Sequence, residues 1–346
     1  MRFVRTTGAR RRAHRITGAA VASALALVTL TSCAGDPADG GGEDGGITVG
    51  LTYQPNIQFA PFYVAKEKGY FEDAGIDVKL RHHGAAEDLF GALNSGREDL
   101  VYAGGDEMLQ ARSNNVPIVD VATVYRSYPV GLIVPAGSDI REPKDLKGHT
   151  VGTPGPYGET YFGLLALLNQ GGLSKKDVKV QYIGFTQATA LAGHKVDAVM
   201  GYVNNDAVAF RQAGRPVRTI APGPDAPLVG VGLGARRNTL GRRAEDVCKV
   251  VAATLRGVRE VVDHPEEAVR ISENYVPGLD DAKRRANALA VLEATRPLLR
   301  TEPGGRPGYN DPAVWERMAD FMSRQGLLEK PVTARDGFDN AYLPKP

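Results

Sequence analysis

An α/β protein of two lobes, each built on a mainly parallel sheet flanked by helices, is the fold this chain predicts. Three observations lead there. Strand-like apolar runs alternate with helix-period stretches from residue 47 to about residue 325, the pattern of strands joined by crossover helices. About 300 residues remain once an N-terminal leader is set aside, enough for two lobes with cores of their own. One short segment also recurs: Leu93-Asn-Ser-Gly-Arg-Glu-Asp99-Leu-Val101 is echoed by Leu191-Ala-Gly-His-Lys-Val-Asp197-Ala-Val199, each ending a helix and starting a strand. Two lobes presenting equivalent loops to a shared cleft would produce such an echo, and so would repeated helix-cap chemistry.

The chain opens on an address. Residues 1–32 read as a signal peptide, with Arg2, Arg5, Arg10, Arg11, Arg12 and Arg15 ahead of an apolar segment from Thr17 to Leu30. That segment is shorter than the roughly 20 residues a spanning helix needs. Leu30-Thr31-Ser32-Cys33 matches a lipobox, so cleavage would expose Cys33 for lipidation and hold the protein at the outer face of the cell membrane. An incidental cysteine behind a plain secretory signal is the alternative, and Arg11-Arg12 leaves Sec and twin-arginine export both open. Residues 33–46 are glycine-rich and acidic with nothing apolar to bury, so they read as a disordered tether.

Six of the 42 basic residues lie in the leader and none of the 40 acidic ones does, so the formal charge of +2 becomes net negative in the remaining chain. No basic patch argues for nucleic acid. Of the two cysteines, Cys33 belongs to the lipobox and Cys248 sits in a helical apolar pattern. No internal disulfide is expected, and Cys248 is expected to pack as a small apolar residue.

Strands are expected at 47–53, 76–81, 99–103, 117–124, 129–134, 149–152, 178–183, 196–200, 217–220 and 228–233. Helical periodicity runs over 61–73, 86–95, 106–113, 159–169, 186–192, 204–213, 243–262, 265–275, 281–296 and 311–325. Parallel sheets place their ligand crevices at the carboxyl ends of the strands, which directs attention to four loops.

The first loop belongs to Tyr53-Gln-Pro-Asn-Ile-Gln-Phe-Ala-Pro-Phe-Tyr-Val-Ala-Lys-Glu-Lys-Gly-Tyr-Phe71, between a strand-like run and Gly75-Ile-Asp-Val-Lys-Leu80. A second signal is Pro143-Lys-Asp-Leu-Lys-Gly-His-Thr-Val-Gly152. Together they resemble the class II solute-binding proteins that feed ABC importers, in the branch that binds thiamine pyrimidine precursors and related heteroaromatics. The resemblance spans about residues 47–275. It implies a type II periplasmic-binding-protein fold, hinged by two crossings near Leu132–Pro135 and Pro222–Leu228. Lobe 1 would then comprise 47–133 plus 227–343 and lobe 2 would comprise 134–226. A monomer, a small-molecule ligand and permease and ATPase partners are implied as well.

Four clusters carry the expected site. Tyr53, Asn56 and Gln58 offer a stacking face and amide groups, although Pro55-Asn56 is also turn chemistry. The thiamine-precursor family often has tryptophan and histidine where this chain has Tyr53 and Gln58. Gly104 and Gly105 let backbone approach a ligand, and Asp106 is either a helix cap or a ligand contact. Tyr157 can stack, while Glu159 can accept from a ring amine or support a helix N-terminus. Tyr202, Asn204 and Asn205 form the last cluster, with Tyr125 and Tyr128 flanking the same opening.

No metal-ligand spacing, nucleophile elbow, phosphate loop or dinucleotide fingerprint occurs. Fungal enzymes that build the thiamine pyrimidine need a cysteine-rich motif that is missing here. The expected role is therefore binding without catalysis and without a cofactor. A pyrimidine precursor ranks first as ligand, riboflavin second and an alkanesulfonate third. A surface sensor lipoprotein that passes solute to no permease is the reading from a different class.

Overall fold

Two five-stranded sheets organise the chain. A computed structural model describes residues 45–345 except 85, 86 and 224, so the leader, Cys33 and most of the tether lie outside the described residues. The first sheet has the order β2-β1-β3-β10-β4, from β1 (Ile47–Leu51), β2 (Val78–His82), β3 (Leu100–Gly104), β4 (Ile118–Thr123) and β10 (Val231–Arg236). The second has the order β7-β6-β8-β5-β9, from β5 (Val130–Pro135), β6 (Thr150–Thr153), β7 (Lys179–Tyr182), β8 (Ala198–Tyr202) and β9 (Val217–Ile220).

Each sheet holds one reversed strand. In the first, β10 runs antiparallel to β3 and β4; in the second, β5 runs antiparallel to β8 and β9. These are the strands that follow each passage between sheets. A chain arriving from the other sheet enters from the cleft side and so runs against its neighbours.

The passages lie at 124–129 and 221–230. The expected crossing at Leu132–Pro135 is corrected by this: β5 pairs with β8 and β9, so 130–133 belong to the second sheet and not to the first. The two passages run side by side, with the backbone N–H groups of Val124 and Tyr125 both within 2.9 Å of the Val231 carbonyl. Leu228 and Val229 are buried outside any strand, so the strand expected at 228–233 begins at Val231 instead.

Helices cover both faces of each sheet. On the first, α1 (Ala60–Glu67), α2 (Tyr70–Asp73), α9 (Ala244–Asp263), α10 (Pro265–Ser272) and α11 (Ala282–Leu299) close one side. The other side takes α3 (Gly91–Ser95) and α4 (Gly105–Ser113). On the second, α5 (Gly158–Gln170) covers one face, with α6 (Gln187–Ala192) and α7 (Asp206–Gln212) on the other. The single helix expected at 61–73 is two, broken at Gly69, whose φ of 70° lies in the left-handed region.

Helix α9 carries the apolar stripe Val247, Val250, Val251, Val258, Val261 and Val262, all buried. Each fully buried valine contributes about 1.5–3 kcal/mol. After α8 (Arg237–Arg242) and these helices, α12 (Pro312–Arg324) and α13 (Ala334–Gly337) return the chain to β4. Asp120 on β4 accepts from Ala122 N at 2.8 Å and from Asn310 Nδ2 at 3.2 Å, and Asn310 Oδ1 receives Thr123 Oγ1 and Trp315 Nε1. This buried network fastens the C-terminal return to the first sheet. Cys248 is half-buried on α9 and unpaired, less enclosed than its pattern suggests.

Candidate functional site

The recurring segment noted in the sequence has a structural counterpart in each sheet. Asp99 N donates to Thr48 O and Asp99 Oδ2 accepts from Thr48 N, each at 2.9 Å, binding β3 to β1. Asp197 makes the same pair of bonds with Thr150, at 2.9 and 2.7 Å, binding β8 to β6. The shared register carries Asp106 and Asn204 to corresponding places beyond β3 and β8, and both are buried.

There the two sheets meet. Asp106 Oδ1 accepts from Glu107 N at 2.8 Å, and its Oδ2 lies 2.7 Å from the Tyr128 hydroxyl. Tyr128 also reaches the main-chain carbonyl of Glu159, at 2.9 Å, across the junction. Glu107 accepts from Gly104 N at 3.2 Å. Glu159 Oε2 is bonded to the Tyr202 hydroxyl. A Cβ on Gly104 would lie 2.6 Å from Asp106 Oδ1 and 3.0 Å from Glu159 Oε1, so only glycine admits Glu159 here.

Several buried polar atoms at this junction have no partner: Tyr102 Oη, Glu159 Oε1 and Asn204 Oδ1, with Thr153 Oγ1 at the end of β6. Asn204 Nδ2 donates to Thr295 Oγ1 at 2.8 Å, fixing the amide and leaving its oxygen open. Buried groups without partners cost stability unless something else satisfies them.

Burial raises all three carboxyl groups above the usual range. For Glu159 the shift is large, from burial first and then the charges of Glu107 and Asp106, opposed by Tyr202. For Asp106 burial leads and Glu107 adds, against the bonds to Tyr128 and to backbone N–H groups. For Glu107 burial is opposed by the N–H groups of Gly104 and Glu159. For Glu159, expected as a charged acceptor, these surroundings favour the neutral form.

Large apolar side chains exposed among the described residues are Tyr53, Tyr157, Tyr182 and Phe185. Tyr53 follows β1, Tyr157 follows β6, and Tyr182 and Phe185 end and follow β7, so all four stand at carboxyl ends of parallel strands. The Tyr53 carbonyl receives His82 Nδ1 at 3.1 Å. A carbonyl only accepts, so Nδ1 holds the hydrogen and Nε2 takes that of Tyr63, 3.0 Å away. Burial lowers the His82 pKa, which favours this neutral form.

Other expected site residues separate. Asn56 Oδ1 accepts from Gln58 N at 3.2 Å, the turn-capping alternative, and Gln58 is half-buried beside it. Gly105 packs away from the cluster, where a Cβ would meet Val229 Cγ1 at 2.5 Å. Asp106 is not the cap, because α4 begins at Gly105 with Gly104 ahead of it. Asn205 is exposed and makes no side-chain cap bond. Tyr125 is buried, its hydroxyl beside Asn204 and Thr295. Sequence reasoning missed Tyr102, Glu107, Thr153 and Thr295. The acidic pair Asp106-Glu107 was a readable signal; Thr295, on a helix almost 100 residues downstream of Asn204, had none. Among the described residues no group of three His, Cys, Asp or Glu side chains is arranged to hold a metal.

The chain is similar to known proteins. The riboflavin-binding protein RibY of Chloroflexus aurantiacus is 33% identical over 304 residues, covering 86% of each chain. The formylaminopyrimidine-binding protein of Halalkalibacterium halodurans is 27% identical over 329 residues, covering 91% of this chain and 96% of its own. The periplasmic aliphatic sulphonate binding protein SsuA from Escherichia coli superposes with a TM-score of 0.68 at 20% identity, over 84% of this chain and 90% of its own, a likeness of fold. Residues 56–268 match the family described as NMT1/THI5 like. With that match and the two-lobed periplasmic-binding-protein fold, the chain belongs to the NMT1/THI5-like family.

Proposed function

We propose that this protein is the extracytoplasmic solute-binding component of an ABC importer, taking a planar N-heteroaromatic between its lobes and handing it to a permease. Riboflavin is the first ligand and an aminopyrimidine the second, the reverse of the order suggested by the motif alone. The observation that carries the reading is the pairing of unpartnered buried polar atoms (Tyr102 Oη, Glu159 Oε1, Asn204 Oδ1) with exposed aromatic faces at the carboxyl ends of both sheets. A flat ring system with polar edges satisfies the first and stacks on the second.

The relatives support the order. RibY covers most of the chain at 33% identity, and Tyr53 and Gln58 already depart from the thiamine-precursor pattern. A sulfonate is disfavoured, since the junction concentrates carboxyl groups and no arginine or lysine acts on Glu159. No described helix is long and apolar enough to cross a membrane. Attachment through a lipidated Cys33 is part of the proposal and rests on the lipobox alone.

The test is the ligand itself. Mass spectrometry of small molecules released from purified protein should find a flavin, and riboflavin at 100 times its dissociation constant should add about 2.7 kcal/mol of stability. No thermal shift with either riboflavin or an aminopyrimidine would sink the reading. Turnover of either compound would replace it with an enzyme.

A further inference from the structure

Three carboxyl groups, Asp106, Glu107 and Glu159, share the lobe junction without a cation, and their hydrogen bonds reveal where protons sit. A tyrosine hydroxyl owns one proton. Tyr128 Oη lies 2.9 Å from the Glu159 carbonyl, which only accepts, and 2.7 Å from Asp106 Oδ2. Both contacts are full hydrogen bonds when Tyr128 donates to the carbonyl and Asp106 Oδ2 donates to Tyr128. Asp106 Oδ1 remains free to accept from Glu107 N, as it does.

Glu107 is the member best placed to be ionised, because the backbone N–H of Gly104 donates to its carboxylate at 3.2 Å and that of Glu159 also favours its charged form. Glu159 receives no such support. One oxygen is shared with Tyr202, and Oε1 is buried without a partner. A second proton belongs there.

We propose that the lobe contact is a proton-linked latch: Asp106 and Glu159 each carry a proton when the lobes are together, and the ligand that completes the site is uncharged and offers an acceptor atom to Glu159. The ligand half rests on the solute-binding reading above, and the proton half stands without it. The titratable groups facing the two acids are Glu107 from α4, Tyr102 from β3, Tyr125 and Tyr128 from the first passage, and Tyr202 from β8. None is a cation, so raising the pH adds unbalanced negative charge between the lobes. The upward shifts of Asp106 and Glu159 agree with this assignment.

Riboflavin titrations across pH 6 to 9 on the purified protein, with Asp106→Asn, Glu159→Gln and Glu159→Ala beside it, test the latch. Wild-type affinity should fall by about tenfold or more over that range, since each linked proton weakens binding by up to about tenfold per pH unit. Glu159→Gln should flatten the profile and keep more affinity than Glu159→Ala, because an amide still donates. A flat wild-type profile, or a glutamine variant as weak as the alanine one, would overturn the proposal. Infrared spectra of the ligand-free protein separate the two halves. The carbonyl stretch of protonated carboxyl groups should lose intensity in Asp106→Asn and in Glu159→Gln. If neither riboflavin nor an aminopyrimidine binds at any pH, the ligand half fails together with the functional reading. If the infrared bands are absent as well, the proton half fails too.

Discussion

The exit from β3 and the exit from β8 begin alike and end differently. Asp99 and Asp197 tie each strand to its parallel neighbour through the same pair of bonds, to Thr48 and Thr150. Beyond β3 a helix starts at once, and Asp106 and Glu107 find backbone N–H groups or Tyr128 for every bond they need. Beyond β8 a turn intervenes before α7, and Asn204 keeps an open carbonyl oxygen. Glu159, on the same lobe, has an open oxygen as well. Past the end of β3, Asp106 and Glu107 are thus complete in themselves, while Glu159 and Asn204 on the second lobe have valence to spare. Substitutions in the first should register mainly as lost stability, and those in the second mainly as lost affinity.

The largest expected contrast is in pH dependence. Asp120 on β4 is fully buried, and burial pushes its pKa from the usual 3.8 to about 7, against bonds from Asn310 and Ala122. The folded state therefore holds this proton more tightly than the unfolded chain. Stability from Asp120 is full below pH 3.8 and is lost as pH rises to about 7. That difference amounts to about 4 kcal/mol. No acidic residue occupies β9, its counterpart in the second sheet. Denaturant unfolding across pH 4 to 8 should lose much of its slope in Asp120→Asn; an unaltered slope would place the titration in another group.

Next comes Asp106→Ala against Asn204→Ala. The first strands Glu107 N and Tyr128 and should cost about 3 kcal/mol of stability. The second loses one bond, to Thr295, and should cost about 1 kcal/mol while weakening ligand binding more than that. Chemical denaturation and calorimetric titration of both variants check the order, and equal stability losses would break the comparison. Tyr157→Ala should weaken binding by roughly 1 to 3 kcal/mol and leave the unfolding midpoint in place, since the ring is 56% exposed. The smallest effect is a symmetric one. Asp99→Ala and Asp197→Ala should each cost about 1 kcal/mol, and a clear inequality would show that the repeated bonds do unequal work.

Most strands and helices were legible, because alternation and helical periodicity report which face of an element is covered. The first crossing was not. A strand buried on both faces, such as β5, and a passage buried between lobes, such as Leu228-Val229, read as the same apolar run. The reversed direction of β5 and β10 was not legible, because a sequence carries no sign of the side from which a chain enters a sheet. Glu159 was visible as a candidate. The upward shift of its pKa was not, since that depends on burial and then on Glu107 and Asp106, more than 50 residues away along the chain.

By itself, the sequence determined the alternating α/β order, the paired Asp99 and Asp197 segments and the four loops worth watching. Each is local: propensity, periodicity and composition act over a few turns of chain. Tertiary structure alone decided where the chain changes sheets, which glycine admits Glu159, and which polar atoms at the junction remain without partners. Those depend on distances between residues far apart in the chain. Hydrogen-bond satisfaction and desolvation are settled only when such residues are brought within a few ångströms of one another.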